Sequence, residues 1–378
     1  MLSRPASPVP SSFVALAGLL LSLNFSSVTN AGESIEKTSS STEIPIRTQV
    51  FESKAFAIDQ IYKSMEGPRE ITKVTIGEGG DEGLLWVLSY ETKIVDTTTG
   101  APVSDEYMCH NNFNVTNLNQ HRKLIGASPI RGVPRMFALS QGVMGVEFPA
   151  GFGVPVRSGE PFVLNFQVLN LNPIDKSIEV RFRTTVRYAL DSELKTRMKP
   201  LYQFGVQGMK LLAGSQGYPG VSDPDPKIHG ESCSVGEVVD AGNLITQNDG
   251  QTYTNHWIVE PGREENHTLL TQRLGLKHDV MVHYIAIHVH PFAESLELRD
   301  LTTGETVYKA RVVNFDDKIG LVSAEHFSSV EGLKLFKDHE YTLISIYQNN
   351  SEVRQDAMAS MFLYLHDPAY EHARVSKR

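Results

Sequence analysis

The chain has 378 residues, enough for about two domains of common size, with 40% hydrophobic and 21% charged residues. Its net charge of −9 and isoelectric point near 5.8 argue against nucleic acid, whose phosphates would need a basic face. What remains is an ordinary globular composition that implies no strongly charged partner.

The N-terminus reads as an address. Arg4 precedes the apolar run from Phe13 to Leu23, and Thr29-Asn-Ala31 sets small residues where a signal peptidase would cut, so residues 1–31 are expected to be a signal peptide. That run is too short to cross a bilayer, which takes about twenty residues, and no later run is long enough either. The mature chain is therefore expected to be secreted, periplasmic or at the cell surface, without a membrane span. Residues 32–44 are rich in Ser, Thr and Glu and read as a flexible leader.

From there the chain reads as almost entirely β. Alternating or β-branched runs recur at Leu84–Tyr90, Phe162–Leu169, Ile178–Tyr188, Met281–His290, Ser295–Leu298 and Tyr341–Tyr347, separated by turn chemistry such as Thr99-Gly100, Asn172-Pro173 and Thr303-Gly304. The run from Ile178 shows the period of two most clearly. Ile178, Val180, Phe182, Thr184 and Val186 share one face, with Glu179, Arg181, Arg183 and Arg187 on the other. Strands at this spacing without helical patterns between them predict an all-β protein of two jelly-roll β-sandwich domains side by side. A boundary near Lys199-Pro200 gives an N-terminal sandwich over 45–199 and a C-terminal one over 200–368, with a tail at 369–378. The stretch from Gly205 to Gly230 is Gly- and Pro-rich and reads as irregular.

Two cysteines are present, Cys109 and Cys233. A disulfide, free thiols and a metal-bound thiolate all remain open for them. Asn114-Val-Thr, Asn266-His-Thr and Asn349-Asn-Ser match the N-glycosylation acceptor pattern.

The most informative residues are His288 and His290, which flank Val289 at the end of an apolar strand. Residues two apart on a strand share a face, so both imidazoles converge on one point. Met358 heads a second apolar strand and offers a thioether, and two imidazoles with a soft sulfur suit copper far better than magnesium or calcium. The plainer readings are strand histidines satisfied by backbone groups, and a methionine that fills a gap between sheets. His110, beside Cys109, is a further candidate ligand. His283 lies in the opposite strand phase and reads as structural; His339 could cap a turn or orient a ligand, and Glu294 and Glu297 read as surface positions.

Taken in order, Tyr107-Met-Cys-His110, Gly151 to Leu169, His288-Val-His290 and Asp356-Ala-Met358 running into Phe-Leu-Tyr364 resemble the copper type II, ascorbate-dependent monooxygenases. These are the relatives of peptidylglycine alpha-hydroxylating monooxygenase and dopamine beta-monooxygenase. The resemblance covers roughly residues 80–368, on few matching residues. It implies two jelly rolls whose copper ions face each other across a water-filled cleft. His288, His290 and Met358 match the ligands of the oxygen-binding copper, and His110 falls at the first-domain copper that stores an electron. It also implies one or two copper ions, ascorbate or another reductant, and a small-molecule or peptide substrate.

The departures lie in the first domain and around the substrate. The family's His-His pair is Cys109-His110 here, and Phe166 to Asn170 supplies no third histidine. Ala286 stands where the peptide-amidating member grips a carboxylate with arginine, and Phe362 where it has a tyrosine, which argues against peptide amidation. Two other readings stay open: a cupin-type site of His288, His290, Glu294 and His339, and a non-catalytic exported copper-binding or interaction module.

Overall fold

The computed structural model describes residues 44–77, 83–125, 135–212, 244–246 and 250–368. The expected signal peptide, nearly all of the leader, Cys233, most of the Gly- and Pro-rich stretch and the tail lie outside the described residues.

In the first half run β1 (Arg47–Glu52), β2 (Arg69–Thr75), β3 (Leu84–Asp96), β4 (Met108–Val115), β5 (Arg135–Leu139), β6 (Phe152–Arg157), β7 (Pro161–Val168) and β8 (Ile178–Leu190). One sheet takes them in the order β1-β8-β3-β6 and the other in the order β2-β7-β4-β5. In the second half run β9 (Tyr202–Gln207), β10 (His256–Val259), β11 (Gly262–Leu269), β12 (Val280–Val289), β13 (Ala293–Asp300), β14 (Thr306–Asn314), β15 (Phe327–Leu335), β16 (Tyr341–Asn349) and β17 (Gln355–His366). The same interleaving recurs: β9-β17-β12-β15, with β10 also on β17, faces β11-β16-β13-β14. Each half is thus a jelly roll, in which strands distant in sequence alternate between two packed sheets. The chain crosses from one to the other at Leu201. Lys199–Pro200 pairs in parallel with Phe152 and Gly153 of β6, whereas β9 pairs with β17.

Period two explains which faces are buried. On β8, Val180, Phe182, Thr184 and Val186 point into the first sandwich, while Arg181 and Arg183 reach out to Glu52. Those ion pairs are exposed and contribute little. Tyr188 continues that buried face, and the bulge opposite Arg187 and Tyr188 lies on β3, where Leu88 is the extra residue.

The sheet that holds β12 and β17 is buried on both faces. Ile285, Ile287 and Val289 with Ala357, Ala359, Met361, Leu363 and Leu365 fill the core of the second sandwich. Their alternates, Tyr284, Ala286, Met358, Phe362 and Tyr364, join the core of the first. Double burial explains why β17 reads as a nearly continuous apolar run instead of alternating.

Aromatic packing closes the junction. The Phe148 ring lies 5.8 Å from Phe137, 5.8 Å from Tyr284 and 4.9 Å from Tyr364, and the Tyr364 hydroxyl donates to the Met136 carbonyl at 3.1 Å. At the rim the Asn172 side chain donates to the Ile319 carbonyl at 2.8 Å and accepts from its N–H at 2.9 Å. Gln141 likewise joins the Glu106 carbonyl to the Leu321 N–H. Phe148→Ala is expected to cost about 3–5 kcal/mol in denaturant unfolding, the range for emptying a packed aromatic site.

Four polar residues lie inside the fold, and for Glu297 this overturns its reading as a surface position. The three glycosylation asparagines are all buried in strands, with Asn114 at 9%, Asn266 at 3% and Asn349 at 2% exposure, so the folded chain offers none of them to an oligosaccharide. Asn266 donates to the Met209 carbonyl and Asn349 to those of Val259 and Val353. Glu297 is buried too, because Thr306, Arg299 and Lys309 surround its carboxylate; Glu294 is exposed as expected.

Candidate metal centre

Strand alternation sets the histidines. On β12, Tyr284, Ala286 and His288 face the first jelly roll, and His290 continues that face just beyond the strand end. On β10, Trp257 and Val259 enter the second sandwich, which turns His256 to the opposite face. His256 sits opposite Met358 in the strand pairing, and on the other side of β17 the His290 N–H donates to the Met358 carbonyl at 3.2 Å. Met358 is therefore flanked by His256 and His290 across the sheet, with Asp356 two residues before it on the same face.

The first jelly roll contributes through a bulge. On β4, Met108 pairs with Val168 and His110 with Gln167, leaving Cys109 as the extra residue. Such an insertion re-aims the side chains beside it. Cys109 and His110 thereby reach the cavity that His288, His290 and Asp356 also line.

The result is a row of four buried imidazoles. Ring centres lie 5.0 Å apart for His110 and His288, 5.3 Å for His288 and His290, and 5.1 Å for His290 and His256. Their exposures are 4%, 6%, 7% and 0% in that row order. At one end Asp356 accepts from Nε2 of His256 and, at 2.9 Å, from Nδ1 of His290. Burial works against its charge, but those two rings hold the Asp356 carboxyl well below the usual carboxylate range. At the other end Nδ1 of His110 lies 3.1 Å from the Cys109 sulfur.

In between, the polar accounting fails to close. Nδ1 and Nε2 of His288 and Nε2 of His110 are buried without a hydrogen-bond partner. A neutral imidazole always carries one N–H, and a buried unsatisfied donor costs about 1–3 kcal/mol. Burial, reinforced by Arg135 and the neighbouring imidazoles, pushes His110 down to about 3. Burial, then His110 and His290, takes His288 well below its ordinary value. Both rings are thus neutral near pH 7, the form that ligates a metal.

Among the described residues, His256, His290 and Asp356 are the one group of three whose ligand atoms lie within 4.8 Å of one another and could hold an ion. Nδ1 of His290 already faces the Asp356 carboxylate at 2.9 Å and Nε2 of His256 lies against it, so an ion there would have to displace both contacts. His110 and His288 have nothing to give up. Asp356 therefore fits the role of a carboxylate that orients metal-bound histidines better than that of a ligand.

The cavity in front of these rings measures about 310 Å³. Leu169, Leu171, Phe292, Ile319 and Val353 supply apolar walls, and Lys63, Gln141 and Arg354 add polar groups.

Of the residues expected from sequence, His288 and His290 do come together. Met358 lies on their face, fully buried, against the core of the first jelly roll. His110 departs from the arrangement that the resemblance implies, because its ring stacks near His288 instead of standing across a wide cleft. Ala286 and Phe362 fill the apolar junction. His283 bonds the Ser329 carbonyl at 3.1 Å and stacks on Phe152, which fits its structural reading. The cupin set is not assembled: Glu294 is exposed, and His339 binds Asp300 at 2.6 Å in the turn before β16. Cys109 is buried, its thiol pushed up to about 12 by burial, and it forms no disulfide among the described residues. His256 and Asp356 were missed as members of the site. The alternation of His-Trp-Ile-Val was the available signal for His256, and the place of Asp356 two residues before Met358 the signal for the carboxylate.

No protein-family model matches the chain, and no curated protein matches it in sequence. Solved structures do align. PNGF-II matches at 11% identity over 84% of this chain and 65% of that one, with a TM-score of 0.34, so the chain spans 65% of the length of that protein. A chain from Sulfolobus Turreted Icosahedral Virus matches at 11% identity over 87% and 93%, with a TM-score of 0.32. The major capsid protein P2 of bacteriophage PM2 matches at 10% identity over 84% and 97%, with a TM-score of 0.30. At such low scores these likenesses carry no argument, and the jelly-roll architecture rests on the strand order itself.

Proposed function

We propose that the chain is an exported copper-dependent oxidoreductase of the monooxygenase kind, hydroxylating a small organic substrate with dioxygen and an external reductant such as ascorbate. The observation that carries this reading is His288, a buried neutral imidazole with both nitrogens unpartnered beside two other imidazoles. His288 and His290 would bind the ion, and Met358 is the thioether donor we propose for it. A copper ion supplies the capacity to take up single electrons and to activate dioxygen, and a thioether ligand favours the reduced state. The protein's share is positional. Asp356 fixes the ring of His290, and the apolar walls shape the space in front of it. The cavity volume favours a small molecule over a peptide.

A non-catalytic copper-binding module is the second reading, favoured by the closeness of His110 to His288, which removes the separate electron-storing site that the resemblance implies. Two measurements on copper-loaded protein decide between them. X-ray absorption of the reduced form is expected to show nitrogen ligands plus one sulfur, with the sulfur lost in Met358→Ile. Ascorbate-dependent oxygen uptake supports the enzyme; copper bound as described without any uptake supports the binding module.

A further inference from the structure

We infer that Phe292 sets the selectivity of the cavity: its ring is the wall that limits the apolar body of a small molecule beside His290, and the backbone is held in a strained conformation that keeps the ring there. The inference rests on the reading of this cavity as a substrate site and adds to it the residue that decides what fits.

The backbone of Phe292 is strained. Its φ of 71° lies in the left-handed region, which a bulky side chain rarely occupies. Phe292 is the third residue of the turn from His290 to Ala293, which the Ala293 N–H closes by donating to the His290 carbonyl at 3.4 Å, and Pro291 is the second. A proline-led turn with positive φ at its third residue takes glycine or asparagine there by preference. Such a conformation persists only where its neighbours over-determine it, and three hydrogen bonds do so here. Asn314, at the end of β14, accepts from the Phe292 N–H at 2.7 Å and donates to the Ala293 carbonyl at 2.8 Å. From β16 the Gln348 N–H donates to the Phe292 carbonyl at 2.8 Å.

The strain is also localised. Among the described residues, Met65 is the other non-glycine residue with positive φ, and it directly follows Lys63 and Ser64, which line the same cavity. Strained backbone clusters at active sites and ligand clamps. Phe292 itself lines the cavity two residues after His290, together with Leu169, Leu171, Ile319 and Val353. It is half-buried and also packs against the core of the second sandwich, so packing and selectivity have to be separated by experiment.

The test measures binding of benzyl alcohol and of the larger 2-naphthalenemethanol to the full chain by equilibrium dialysis, with thermal unfolding alongside. Phe292→Gly, and Phe292→Asn should the glycine variant fail to fold, keep the turn and remove the ring. Each is expected to weaken benzyl alcohol about tenfold and to shift the ratio of the two affinities about tenfold towards the naphthalene probe, the scale on which an apolar pocket discriminates by size. An unchanged ratio, whatever the melting temperature does, makes the ring a piece of the second core and overturns the inference, while the cavity reading stands. Wild type that binds neither probe overturns both.

Discussion

His288→Leu is expected to do two opposite things: lower metal affinity at least about a hundredfold and make the metal-free protein more stable, by about 1–3 kcal/mol. The first effect follows from the position of the ring. It stands between His110 and His290 with both nitrogens unpartnered, so its loss removes a ligand of the proposed centre. Removal of groups that merely orient ligands already costs about tenfold to a hundredfold, and a direct ligand is worth more. The second effect follows from its unsatisfied nitrogens. Leucine is of similar size, fills the site with methyl groups and leaves no buried donor, and exchanging an unpaired polar group for an apolar one of like shape is neutral to stabilising. Zinc or copper titration with urea unfolding of the metal-free protein reads both. A destabilised metal-free variant would mean that the ring has a hydrogen-bond partner and that the case for a metal falls with it.

The second large effect is acid instability of the metal-free protein well above the carboxylate range. His110 titrates near 3 in the fold against an ordinary value of 6.5, and His121, buried in the helix Leu118–Ile125, is pushed down to about 4 by burial. His256 and His288 shift in the same direction. A group whose folded value is depressed leaves the unfolded chain to take the proton first. Its stabilisation is therefore complete above about pH 6.5 and falls as pH drops towards the folded value. Each such group removes about 1.4 kcal/mol per pH unit in that window, so two or more together remove several kcal/mol between pH 6 and pH 4.5. Asp356, depressed from its ordinary carboxylate value, adds its own loss only below about 4. Urea midpoints at half-unit pH steps should fall steadily through this range. A midpoint that is flat from pH 7 to pH 5 would show that the buried imidazoles titrate like exposed ones.

The sequence made faces legible and left meetings hidden. Period two was enough to place His288 with His290 and to put Val180 and Phe182 inside, and the apolar run that Met358 heads was enough to mark β17 as a strand. It could not say that β10 and β12 would flank the same strand, which is what brings His256 and His290 to Asp356. Nor could it show that His110 would meet His288, because that depends on a one-residue bulge and on the docking of two sandwiches, neither of which has a local signature. Glu297 was misread for a related reason. Polar residues on a strand read as solvent-facing unless the groups that satisfy them can be foreseen, and those groups lie on other strands.

The aromatic junction also constrains how the protein is made. Part of the first core, namely Met358, Phe362 and Tyr364, belongs to a strand synthesised some way after β8 has left the ribosome. Until β12 and β17 arrive, Phe137 and Phe148 have each other but lack Tyr284 and Tyr364, and the nascent N-terminal half keeps an apolar flank open to solvent. A first half that folds as it emerges therefore leaves this flank bare until the last strand is made, and in that interval the growing chain depends on whatever shields the flank from other chains.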